Sequence, residues 1–85
     1  MTDIAHKGLL KLMLRLPALR SQLQTLSGRN DAVQALCEAY EDASCVLERL
    51  RKSEGGAQTE LLSEYQTLCM EIEAEVSAIC ISKHA

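Results

Sequence analysis

The residues with chemistry to offer are four cysteines, two histidines, two tyrosines and twelve carboxylates in a chain of 85. A zinc site draws on paired ligands about two to four residues apart. Here Cys37, Cys45, Cys69 and Cys80 are separated by eight, twenty-four and eleven residues, and His6 and His84 stand near opposite ends. That spacing argues against a metal. Cys37, Cys69 and Cys80 fall on or beside apolar helical positions, where a thiol behaves as a small hydrophobe. Cys45 lies away from such a face and is expected to be more exposed. Glu41, Asp42 and Glu48 close by would raise its pKa, which works against a reactive thiolate.

The carboxylates fall into two sets. Glu60, Glu64, Glu71 and Glu75 form a stripe at helical spacing, and Glu38, Glu41 and Asp42 form a cluster. Helical di-metal sites combine such carboxylates with Glu-x-x-His pairs, and the chain has none. The stripe therefore reads as a solvated face, with docking of a basic helix as the functional alternative. Tyr40 and Tyr65 sit at central apolar positions with no His, Ser or Lys placed as a general base. The chain has no Gly-rich phosphate loop, nucleophile elbow or triad pattern. No catalytic, cofactor-binding or metal-ligating residue is expected.

The elements that must position these groups are helices. Fourteen Leu stand against three Val and four Ile, with one Pro, no Phe and no Trp, a composition that favours helix over sheet. Leu9, Leu12, Leu16, Leu19, Leu23 and Leu26 repeat at three- and four-residue steps, which places them on one helical face over 3–27. Pro17 interrupts that pattern and predicts a kink or a split near Leu16. Gly28 suits a left-handed helix end. Asn30 or Asp31 caps the next helix, and Asp31 with Gln34 reads as a capping-box variant. That helix is expected over 31–52, with Val33, Leu36, Cys37, Tyr40, Ala43, Ser44, Leu47 and Leu50 on its inner face. Ser53-Glu54-Gly55-Gly56 reads as a loop. The last helix is expected over 58–82, its seam formed by Leu62, Tyr65, Cys69, Ile72, Val76 and Ile79. The expected fold is one all-α domain over 1–85, a small antiparallel three-helix bundle.

Charge is unevenly spread. Residues 1–30 hold five basic residues and one acidic one, while residues 31–85 hold four basic and eleven acidic ones, for a net charge of −3. The front and the back can attract each other within a chain or between chains. The stretch 4–16 carries most of the information. Lys7, Lys11 and Arg15 define a narrow basic strip, Leu9, Leu12 and Leu16 the opposite face, and Leu10, Met13 and Leu14 a second apolar flank. A peripheral helix needs an apolar arc of only a little over ~100°. The excess needs a cover. A second protomer is the first expectation, then a partner helix of another protein, then a membrane interface or simple burial in a four-segment fold. The expected interface residues are Leu10, Met13 and Leu14 with Lys7, Lys11 and Arg15. Nucleic acid is not an expected partner, because the basic residues are few, the chain is acidic and no aromatic is interleaved with them.

No stretch approaches the ~20 apolar residues that span a bilayer. Met1-Thr2-Asp3 is acidic, and Lys11 and Arg15 interrupt the Leu-rich run. No export signal is expected, and the thiols are expected to stay reduced in a cytoplasm.

Leu36-Cys37-Glu38-Ala39-Tyr40-Glu41-Asp42-Ala43, followed by Glu64-Tyr65 and the Glu71–Glu75 run, resembles short uncharacterised bacterial helical proteins that carry an L-C-E-x-Y segment and a later E-Y segment. The resemblance covers residues 30–80. It implies a bacterial cytosolic origin, no activity and no functional residue. The residues themselves point to a non-enzymatic interaction module that forms a homodimer. The alternatives are a small metal- or thiol-dependent helical enzyme and a membrane-surface accessory protein using residues 4–16.

Overall fold

The computed structural model describes residues 2–52 and 59–84. The described residues form four α-helices and no strand: α1 (Asp3–Arg15), α2 (Arg20–Ser27), α3 (Asp31–Lys52) and α4 (Thr59–His84), with a 3-10 turn at Pro17–Leu19. Periodicity predicts three helices where four are found, because the split at Pro17 is complete. Leu16 leaves the helix at φ −126°, ψ 64°. The residue before proline is driven out of the α region by the ring, and Pro17 then opens the 3-10 turn, in which Leu19 N–H donates to the Leu16 carbonyl at 2.9 Å.

The other boundaries follow local chemistry. Thr2 caps α1, its Oγ1 accepting from Ala5 N–H at 3.1 Å. Asn30 caps α3, its Oδ1 accepting from Val33 N–H at 3.1 Å. Two expectations change here. Gly28 is right-handed, at φ −83°, because Arg29 and Asn30 N–H groups both turn back to the Leu26 carbonyl without a left-handed residue. The Asp31–Gln34 capping box gives way to Asn30, and the Gln34 side chain donates to the Ser27 carbonyl at 2.7 Å, tying the start of α3 to the end of α2. The expected loop at 53–56 and the first expected residue of the last helix lie outside the described residues.

Every helix contributes to one core. Leu12 of α1, Leu23 of α2, Val33 and Cys37 of α3, and Val76 and Cys80 of α4 are its largest fully buried members. α3 is the central element, with α1 and α4 packed along it. α4 runs antiparallel to α3: Tyr40 meets Glu73, while Leu47 and Arg51 share a groove with Gln66 and Cys69. α1 runs in the same sense as α3, since Thr2 meets Glu38, Lys11 meets Glu41 and Ser44, and Leu14 stands beside the groove that Leu47 and Arg51 line. A continuous first helix would have run the other way. The turn at Pro17 reverses the chain, so that α1 and α2 cover α3 in succession.

Candidate functional site

α1 approaches α3 through Gly8. A Cβ there would lie 1.8 Å from the Cys37 carbonyl oxygen, so only glycine permits this contact. The close approach brings Lys11 onto α3. Its Nζ donates to Glu41 Oε1 at 2.5 Å and to Ser44 Oγ at 2.8 Å, and lies 4.0 Å from Glu48. Glu41 is 6% exposed, and its Oε2 is buried with no hydrogen-bond partner. The Lys11 hydrogen bond holds the Glu41 carboxyl below its ordinary range against the opposing effect of burial. Burial pulls the Lys11 ammonium down, but its hydrogen bond and charge interaction with Glu41 leave it above its usual value.

One turn on, a second network joins the three packed helices. Glu73 Oε2 accepts from Tyr40 Oη at 2.6 Å and from Arg15 Nε at 3.3 Å. Burial, and then the hydrogen bond to Glu73, push the Tyr40 hydroxyl well above the ordinary tyrosine range. It is therefore a neutral donor at physiological pH and serves as no general base.

Between the end of α1, α3 and α4 lies an open groove of about 530 Å³. Tyr40, Leu47 and Cys69 are its buried apolar lining. Leu14 from α1 and Met70 from α4 stand at its edges, 75% and 65% exposed. Glu48 and Arg51 are its exposed charges on α3.

The expected interface residues separate. Leu10, at 45% exposure, and Leu14 point to solvent on α1, as Lys7 does. Met13 does not. It is 8% exposed and belongs to the core, because a spacing of four residues places it only about 40° around the helix from Leu9. Lys11 and Arg15 are engaged within the chain rather than left to face the stripe of Glu60, Glu64, Glu71 and Glu75, all four of which are exposed. The front-to-back attraction of the two charge-biased segments is thus in part internal.

All four cysteines are free, with Cys37, Cys69 and Cys80 buried and Cys45 exposed. Burial, with the Cys80 thiol and Glu38 nearby, pushes Cys37 up to about 11. The hydrogen bond from Cys45 Sγ to Glu41 Oε1, at 3.1 Å, raises Cys45 as well. Thiols held protonated are poor nucleophiles and poor metal ligands. Among the described residues, no group of three His, Cys, Asp or Glu side chains could hold a metal ion, and no helix is long and apolar enough to cross a membrane.

Sequence reasoning missed Gly8, the pairing of Glu41 with Lys11 and the part played by Glu73. Gly8 had a signal: a glycine amid strong helix formers costs ~1 kcal/mol relative to alanine, and a close backbone approach is a reason to keep it. The Lys11–Glu41 and Tyr40–Glu73 contacts carry none, since each joins residues 30 or more apart along the chain.

No protein-family model matches the chain, and neither a curated protein nor a solved structure shows significant similarity to it.

Proposed function

We propose that this chain is a non-enzymatic interaction module that acts as a homodimer through the outward face of α1. The observation that carries this reading is the pair Leu10 and Leu14, four residues apart on the solvent side of α1 and both exposed. Burying each stabilises an assembly by roughly 1.5–3 kcal/mol, and soluble monomers seldom leave such a pair open beside further apolar surface. Lys7 flanks the pair; Lys11 and Arg15 border it while bonded within the chain. The raised thiol pKa values favour this reading over a thiol-dependent enzyme. A bacterial cytosol, where free thiols stay reduced, suits the four unpaired cysteines.

Light scattering at micromolar concentration tests it. The expected mass is that of two chains. Leu10→Glu combined with Leu14→Glu shifts it to one chain while circular dichroism keeps its helical signal. A wild-type mass of one chain overturns the proposal.

A further inference from the structure

The dimer reading leaves open what the exposed face of α1 meets. The two most exposed large apolar side chains of the described residues, Leu14 and Met70, both stand at the edge of the groove between α1, α3 and α4. A projecting leucine and an apolar hollow therefore lie side by side on one surface. Under a two-fold axis, such a surface is complementary to itself, because each copy offers the projection that the other's hollow takes.

The charges point the same way. Lys11 and Arg15 are satisfied within the chain by Glu41 and Glu73. Arg51 forms no ion pair among the described residues, and Glu48 has only the 4.0 Å contact with Lys11. The two exposed residues lie one turn apart on α3, both lining the groove. A two-fold axis pairs Arg51 of each copy with Glu48 of the other, giving two such pairs per dimer. An anionic amphiphile or an anionic lipid surface would find Lys11 and Arg15 already bonded to Glu41 and Glu73, leaving only Arg51, one turn from Glu48, to receive its charge. A second copy presents both signs in the required order.

We infer that the groove is the seat of Leu14 from a second copy of this chain, with Arg51 and Glu48 paired reciprocally across the axis. This rests on the dimer reading and specifies its other surface. At about 530 Å³ the groove has room for more than one side chain, so Met70 folds over the inserted leucine instead of being displaced by it.

Two measurements test the assignment. The first is disulfide trapping in a background of Cys45→Ser and Cys69→Ala, which removes the exposed native thiol and the one that lines the groove. Leu14→Cys and Met70→Cys proteins are purified separately, mixed and oxidised. The expected product is a covalent heterodimer of the two variants on a non-reducing gel. The second is a charge swap. Arg51→Glu is expected to weaken dimerisation by about tenfold or more, as loss and reversal of close interfacial pairs does, and adding Glu48→Arg to it is expected to restore the wild-type constant. A two-chain mass with Leu14→Cys linking only to itself, or with no rescue by the double swap, overturns the groove assignment and leaves the dimer reading standing. A one-chain mass overturns both.

Discussion

At Gly8, α1 lies so close to α3 that backbone nearly touches backbone, whereas α4 meets α3 through side chains: Cys69, Ile72, Val76 and Cys80 are buried along its seam. α1 adds a lysine–glutamate pair with a buried carboxylate, Lys11–Glu41, and α4 adds Glu73, which accepts from the neutral hydroxyl of Tyr40 on α3. One contact is therefore fixed by geometry and charge, the other by burial of many small increments. Geometry tolerates no addition and charge tolerates no loss of one partner. A seam of medium-sized side chains fails in proportion to what is removed. Both helices share α3, so the order of α3 supports two docking surfaces of different kinds, and the groove opens where the two part.

The seam is tested hardest by Ile72→Ala, which removes a buried branched side chain and is expected to cost about 2–5 kcal/mol in denaturant unfolding. Its neighbour Glu71, on the solvated side of α4, serves as the control, because Glu71→Ala is expected to change stability by less than about 0.5 kcal/mol. Equal effects of the two would contradict the burial pattern of α4.

Gly8→Ala is expected to destabilise by about 2–3 kcal/mol in the same assay, the cost of forcing two packed elements apart. The ordinary effect of alanine in a helix is a gain of ~1 kcal/mol. The sign of the change thus separates the two explanations, and a stabilised variant would mean that α1 does not touch α3 at Cys37.

Lys11→Met should produce a smaller effect, about 2 kcal/mol at neutral pH, by stranding the buried Glu41 carboxylate. Its pH dependence is more telling than its size. The folded-state pKa of Glu41 is lowered, chiefly by the Lys11 hydrogen bond. The stability it contributes is present above the unfolded value, near 4.5, and is lost as pH falls through the lower folded value. In Lys11→Met the stranded carboxylate prefers its proton, so the deficit against wild type should shrink on acidification. A deficit that stays constant from pH 7 to pH 4 would show that the pair is not what holds Glu41.

Much of this architecture is legible in residue order. The inner face expected for 31–52 is the one buried in α3, from Val33 through Leu47, and the bounds agree because Asn30 and the run Arg49–Lys52 mark the two ends by capping and charge. The Pro17 break is legible for the same reason, a missing donor and a restricted preceding residue. Gly28 was misleading, since a glycine permits a left-handed turn without requiring one. Of the proposed interface, Leu10 and Leu14 were legible as surplus apolar surface. Met13 was legible as core as well, since four residues place it about 40° around the helix from Leu9 while Leu14 lies about 100° further on, and grouping it with Leu10 and Leu14 put it on the wrong flank.

The sequence by itself determined the local matters: helical propensity, the period of each apolar face, the caps and the break at proline, all of which depend on residues within a few positions of one another. Only the tertiary structure decided the direction of α1 along α3, the burial of Glu41 beneath Lys11, the joining of Tyr40, Arg15 and Glu73, and the groove left between α1 and α4. These depend on groups distant in sequence meeting in space, and no periodicity encodes which helix face a given turn will bring to which partner.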